Sequence, residues 1–192
     1  MAAKHAGILA YAKALHYWQH RHAFCGVCGN PNLLRSAGHR MVCSNEECER
    51  ESFPRIDPAI IVLVTNRDAC LLGRNAKWRP RHFSTLAGFV EPGETLEEAV
   101  AREVAEEVGL RFDPGQVFYQ SSQPWPFPSS LMLGFHARIE PAELRVNRAE
   151  IESAAWFSRE DLLNSPEDES FRLPRADSIA RRLIEDWLAE AC

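Results

Sequence analysis

Residues 88–110 read GFVEPGETLEEAVAREVAEEVGL, a glycine-punctuated loop that runs into a strongly acidic helix. The TLEE run at 95–98 is a capping box: the Thr95 hydroxyl can accept an orphan N–H while Glu98 reaches back. Gly109 stands where a left-handed residue closes a helix. Between these ends lie five glutamates, at 97, 98, 103, 106 and 107, and one arginine, Arg102. At about 100° per residue, Glu103, Glu106 and Glu107 fall on one face, beside an apolar stripe of Leu96, Val100, Val104 and Val108. Like charges on neighbouring turns repel by roughly 0.2–0.5 kcal/mol per exposed pair, and more at a partly buried edge. No lysine follows to relieve them. A Glu-rich helix is ordinarily a solvated face, but this triad borders the buried stripe and follows a loop. Carboxylates so clustered suit hard Mg²⁺ or Mn²⁺ ions. Such ions bridge phosphate oxygens and stabilise charge during displacement at phosphorus. The segment therefore points to a metal-dependent hydrolase or transferase acting on phosphates.

The totals agree. A chain of 192 residues suits one substantial domain, or one domain with a small appendage. Its 22 Lys+Arg against 27 Asp+Glu, net −5, exclude a general nucleic-acid binder held by a large basic surface. An anionic ligand must then be met by local arginines or metal ions. No apolar run is long enough to span a membrane. AGILAYAKAL, interrupted by Lys13 and without a cleavage pattern, does not read as a secretory signal.

Of six cysteines, four lie within residues 25–48, while Cys70 and Cys192 stand alone. Cys25-x2-Cys28 and Cys43-x4-Cys48, with 14 residues between, can surround a tetrahedral Zn²⁺, and a closed Cys₄ site is structural. Four free core cysteines fit poorly in so polar a stretch. His22 and His39 are nearby and unneeded as ligands. The usage indicates a reducing, cytoplasmic compartment.

Around these motifs the pattern predicts a helix over 7–22 and a buried strand over 59–64, AIIVLV, with a TNRD turn leading back through ACLLGR. Residues 75–87 read as basic and irregular. Strands are expected near 116–121, at 131–139 and at 154–157, with helices after Ser158 and over 176–191. The expected organisation is an N-terminal helix or linker at 1–24, a zinc ribbon at 25–52 and a mixed α/β catalytic domain at 53–192.

SQPWPFPSS, at 122–130, is too proline-dense for a helix interior or a central strand. Prolines fix its backbone in advance. Trp125 and Phe127 can offer flat surfaces on which bases stack, worth roughly 1–3 kcal/mol each. Gln123, Ser129 and Ser130 can read hydroxyls or amides. The alternative is a rigid turn that plugs the core with two rings.

Residues 88–110 resemble the Nudix box, G-x5-E-x7-R-E-U-x-E-E-x-G-U with U aliphatic. Gly88, Glu94, Arg102, Glu103, Val104, Glu106, Glu107, Gly109 and Leu110 fill every fixed position. The resemblance implies an α/β/α sandwich with a mixed sheet that hydrolyses nucleoside diphosphates linked to another moiety. It implies that Glu103 and Glu107 are metal ligands with Glu106 assisting, that the Ala87 carbonyl is a further ligand, and that Glu94 and Arg102 pair to hold the loop. Which carboxylate is the general base stays open.

SQPWPFP-x-S after such a box, with a Cys₄ zinc ribbon before it, resembles the NADH pyrophosphatase subgroup. That likeness implies cleavage of NAD(H) to AMP and nicotinamide mononucleotide with Mg²⁺ or Mn²⁺, and a homodimer. Gln123, Pro124, Trp125, Pro126, Phe127, Pro128, Ser129 and Ser130 would then line the dinucleotide site, with Phe53 and Phe89 as further aromatics and Ala180 as a minor contact. Glu150 matches a further metal-binding carboxylate. Such proteins usually carry another N-terminal domain of about a hundred residues, whose contacts are not carried over to this chain. The closest alternative is removal of NAD caps from RNA 5′ ends, for which Arg74, Lys77, Arg79 and Arg81 offer a local basic strip. A zinc-ribbon module that binds nucleic acid or a partner beside an inert Nudix fold is the other class, and the intact box argues against it.

Overall fold

The computed structural model describes residues 3–165, 167–168 and 170–190; Cys192, and Ala191 at the end of the last predicted helix, lie outside the described residues. Two compact units emerge, Met1–Asp57 with Pro124–Leu131, and Pro58–Gln123 with Met132–Cys192.

In the first unit, helix α1 spans Ala3–Arg21, starting earlier than the periodicity predicted, and buries Trp18. A three-stranded antiparallel sheet follows, from β1 (Asn32–Arg35), β2 (Arg40–Cys43) and β3 (Glu51–Ser52) in that order. Gly29, at φ 76°, lets the chain fold back so that its N–H reaches the Cys25 carbonyl at 2.9 Å.

The main sheet has six strands: β4 (Asp57–Asn66), β5 (Ala69–Arg74), β6 (Leu86–Phe89), β7 (Val117–Trp125), β8 (Ser130–Arg138) and β9 (Ser153–Ser158). Their order is β7-β8-β4-β5-β9, with β6 pairing β4. Helices α2 (Leu96–Val108), α3 (Arg159–Leu163) and α4 (Ile179–Ala189) complete the unit. The β4–β5 hairpin closes through Arg67 and Asp68, between the paired Asn66 and Ala69, with Arg67 at φ 43°.

Strand β4 explains the layering. Ile60, Val62 and Val64 pack with Val100, Val104 and Val108 of α2, while Ile61 and Leu63 pack with Leu183, Ile184 and Trp187 of α4. Alternate side chains point to opposite faces of a sheet, so both faces of β4 are covered by helices. That is why AIIVLV is continuously apolar rather than alternating. The result is an α/β/α sandwich.

Two expectations need correction. The end of the segment read as irregular, together with the first residues of the box, forms β6, which pairs Ala87 with Ile61 and Gly88 with Ile60. The strand expected near 116–121 runs on to Trp125 and takes in Gln123 and Pro124. Proline is tolerated there because β7 is an edge strand, where a missing N–H leaves no ladder bond unmade. Among the described residues no helix is long and apolar enough to cross a membrane.

Candidate active site

Helix α2 starts at the capping box: Thr95 Oγ1 accepts from the Glu98 N–H at 3.2 Å, and Glu98 Oε2 accepts from the Thr95 N–H at 2.8 Å. It ends at Gly109, φ 73°, whose N–H reaches the Ala105 carbonyl. About two turns before that end, Arg102 commits all five of its N–H donors. Nε and Nη2 hold Glu94 at 2.6 and 3.0 Å, Nη1 reaches Glu103 and Glu106 at 2.9 Å each, and Nη2 also reaches the Phe89 carbonyl at 2.8 Å. The Arg102 guanidinium, helped by the Glu91 N–H, holds the Glu94 carboxyl below the usual carboxylate range. The loop is thereby tied to both the helix and the end of β6.

Gly88 admits the first carboxylate. A Cβ placed there would lie 1.9 Å from Cδ and Oε1 of Glu103 and 2.3 Å from Oε2. The glutamate therefore lies directly over the strand, in space that only glycine leaves open. Ligand oxygens of Glu103, Glu106 and Glu150 all come within 4.8 Å of one another. Glu107 is not in that closest set, but it is buried and its Oε2 has no hydrogen-bond partner. Burial, and then the charges of Glu103, Glu150 and Glu106, push the Glu107 carboxyl up to about 8. Glu103 is also raised, by burial first, against the opposing pull of Arg102.

Glu150 reaches the cluster through contacts absent from the sequence reading. The Asn147 N–H donates to the Glu107 carbonyl at 2.8 Å, and the Arg145 N–H to that of Val108 at 2.8 Å, so the turn hangs from the last carbonyls of α2. Asn147 Oδ1 accepts from the Ala149 N–H at 3.2 Å, while its Nδ2 donates to Glu150 Oε1 at 2.9 Å. From the other side, Asn75 Nδ2 reaches the Glu150 carbonyl at 3.4 Å. An asparagine three residues before a glutamate, in a non-helical stretch, was the available signal for this turn.

An unpaired buried carboxylate is costly unless a cation compensates it. Three close carboxylates with Glu107 beside them, opposed among the described residues by one arginine, form an oxygen-rich donor set that fits a divalent cation. The thiols form a second donor set. All four Sγ atoms of Cys25, Cys28, Cys43 and Cys48 lie within 4.8 Å of one another. Cys28–Cys43 and Cys25–Cys48 are 3.3 and 3.9 Å apart, around the edge of about 3.8 Å that a tetrahedron of 2.3 Å Zn–S bonds requires. Hydrogen bonds from the Asn30 backbone and side chain, with a smaller contribution from Cys43, pull the Cys28 thiol down to about 6. The donors and spacing fit a closed structural zinc.

The residues expected to read a dinucleotide are divided between the two units. In the first, Trp125 and Phe127 stand edge to face at 5.3 Å, and Lys13 Nζ lies 3.6 Å from the Phe127 centroid. The rings are 40% and 61% exposed, so neither plugs the core. Ser129 Oγ donates to Asp57 Oδ2 at 2.7 Å. Pro126 is buried, Pro124 and Pro128 are exposed, Ser130 is half-buried, and Phe53 is exposed. In the second unit, Phe89 and Ala87 are exposed on β6. Gln123 is bound twice at the start of α4, donating to the Asp177 carbonyl and accepting from the Ile179 N–H, both at 2.8 Å. Ala180 is buried in the core cluster on α4. In the basic strip, Arg74 is not a surface charge: it is buried and ion-paired with Glu152.

Comparison with known proteins agrees with this architecture. Residues 55–180 match the NUDIX domain family, and residues 20–53 match the NADH pyrophosphatase zinc ribbon domain. The chain is 43% identical to NAD-capped RNA hydrolase NUDT12 of Macaca fascicularis, over 96% of this chain and 42% of that protein. It is 46% identical to NAD-capped RNA hydrolase NudC of Stutzerimonas stutzeri (strain A1501), over 95% and 62%. The chain thus spans less than two thirds of either relative. The crystal structure of a NUDIX hydrolase from Nitrosomonas europaea superposes with a TM-score of 0.62 at 20% identity, covering 87% of this chain and 90% of that one. With the box helix, the Glu103 carboxylate over Gly88 and both domain matches in place, the chain belongs to the Nudix family and carries an NADH pyrophosphatase zinc ribbon.

Proposed function

We propose that this chain hydrolyses the central diphosphate of NAD(H), giving AMP and nicotinamide mononucleotide from the free dinucleotide, and nicotinamide mononucleotide with a 5′-monophosphate RNA where the dinucleotide caps an RNA 5′ end. The observation that carries the reading is the convergence of Glu103, Glu106 and Glu150 beside the buried, unpaired Glu107. The NAD-capped RNA hydrolase relatives supply the substrate class.

Glu103, Glu106, Glu107 and Glu150, with the Ala87 carbonyl, are the residues that would hold Mg²⁺ or Mn²⁺. Such an ion, when bound, offsets the charge of the diphosphate as water displaces one phosphate from the other. Arg102 keeps Glu94, Glu103 and Glu106 in place and leaves no donor over for substrate. In the first unit Trp125, Phe127 and Phe53 offer flat faces on which a base can stack, and Ser129 and Ser130 offer polar groups; in the second, Phe89 offers a flat face on the strand that carries the Ala87 carbonyl. Gln123 acts by anchoring the end of β7 to the start of α4, beside Ala180. The four cysteines hold a structural Zn²⁺, which fits a reducing compartment such as the cytoplasm, and the active form is a homodimer.

Glu107→Gln is the direct test, because it removes a ligand charge while keeping the side chain's shape. The variant should fold, retain zinc and release no AMP from NADH, as followed by mass spectrometry with Mg²⁺ and Mn²⁺. AMP release at the wild-type rate would sink the proposed mechanism.

A further inference from the structure

The loop at residues 75–79, NAKWR, is rigidly held by its backbone yet directs its large side chains into solvent. Asn75 Oδ1 accepts from the Lys77 N–H and the Asn75 carbonyl from the Trp78 N–H, each at 3.0 Å. The buried Arg74 donates to the Trp78 carbonyl at 3.0 Å, and Asn75 Nδ2 reaches the Glu150 carbonyl at 3.4 Å. The loop is therefore fastened to the turn that carries a candidate metal ligand. Trp78 is nevertheless 44% exposed, and neither Lys77 nor Arg79 makes a side-chain ion pair or hydrogen bond with any described residue. A tryptophan that keeps 44% of its surface in water on an ordered loop, between two cations without a side-chain partner among the described residues, is more exposed than packing the fold requires. Arg81 differs, since its guanidinium reaches the Ser170 carbonyl and its own carbonyl accepts from Arg172.

We propose that Lys77, Trp78 and Arg79 grip the polynucleotide of a capped RNA downstream of the diphosphate that is cut. The inference rests on the proposed function and names residues that would separate RNA from free dinucleotide. A free dinucleotide has two phosphates, and both are occupied at the carboxylate site. Cations outside that site serve phosphates further along a chain. With a net charge of −5, the protein's overall field repels such a chain, so its grip must be local. Two cations flanking an exposed aromatic ring suit single-stranded nucleic acid, which pairs phosphates with charges and stacks bases on rings. The preset backbone lowers the ordering cost of binding.

The test uses the full chain and a fluorescein-labelled single-stranded RNA of ten nucleotides, with fluorescence anisotropy read between 50 and 200 mM salt, alongside AMP release from NADH. Lys77→Ala with Arg79→Ala should weaken RNA binding tenfold or more and reduce the salt slope by about 1.4, from about 0.7 per single-strand phosphate contact. Trp78→Ala should weaken binding at least fivefold and leave the slope unchanged. NADH turnover should stay within twofold of wild type in both variants. RNA binding that matches wild type in both would overturn the proposal. So would a parallel loss of NADH turnover with RNA binding intact, since the loop would then only support Glu150. A wild-type chain that binds RNA through these residues but releases no AMP would refute the hydrolase reading and leave the RNA grip standing.

Discussion

Gly88→Ala should separate the fold from the chemistry. The added Cβ would meet Glu103 at 1.9 Å, whereas ordinary contacts between carbon centres lie at about 3.5–4.0 Å. The carboxylate must therefore retreat by about 1.5 Å. Gly88 is not among the glycines with positive φ, so alanine meets no backbone strain there. What gives way is the end of a flexible side chain, and stability should change by less than about 1 kcal/mol, the size of an unstrained Gly→Ala effect. Function should not escape so lightly. A misplacement of about 1 Å costs on the order of 100-fold in rate, equivalent to about 2.7 kcal/mol on the barrier. The assay is kcat/KM for AMP release from NADH at saturating Mn²⁺, with Mn²⁺ affinity by electron paramagnetic resonance and Tm by calorimetry. The double variant with Glu103→Ala should be no worse than Glu103→Ala alone, because both changes act through one carboxylate. Activity within threefold of wild type at unchanged Mn²⁺ affinity would refute the reasoning. Gly93→Ala is the control: its φ of 93° strains the backbone, but its Cβ would meet nothing within 4 Å, so it should lose stability and keep its Mn²⁺ affinity.

Cys43→Ser should abolish binding of the one zinc per chain expected at the Cys₄ site, as measured by elemental analysis, and should lower thermal stability because a metal on those four thiols would hold the two halves of the ribbon together. Zinc retained at full stoichiometry would remove Cys43 from the site. His136 is buried on β8 with its Nε2 unpartnered, and burial holds its pKa below the ordinary value of 6.5. Its neutral form is favoured in the fold, so the stability it preserves is complete above pH 6.5 and declines as the pH falls below that value. His136→Leu should flatten the decline between pH 7 and 5.5 in denaturant titrations, and an unchanged slope would exclude this histidine as its source.

The sequence carried the box helix almost whole. Thr95, Glu98 and Gly109 are local signals, so both ends of α2 could be read without the rest of the chain. The cysteine spacing likewise marked the four-thiol cluster that fits zinc, because thiol pairs close in sequence are close in space. The even–odd sharing of β4 between two helical layers was not legible: AIIVLV is apolar throughout, and periodicity cannot show which helix covers which face. Nor could it show that Pro124 sits on an edge strand, since strand order is a tertiary property.

The same divide runs through the site. Residues 88–110 were sufficient to indicate carboxylates for a divalent cation and a guanidinium to brace them. Only the folded chain brought Glu150 to Glu103 and Glu106, through an asparagine turn hung from the last carbonyls of α2, and only burial distinguished Glu107 from its neighbours. It also withdrew Arg74 into an ion pair with Glu152 while leaving Lys77, Trp78 and Arg79 exposed. Sequence determines which groups are available and the local turns that present them. Burial and long-range contact decide which charges face one another, because those depend on distances that the order of residues does not contain.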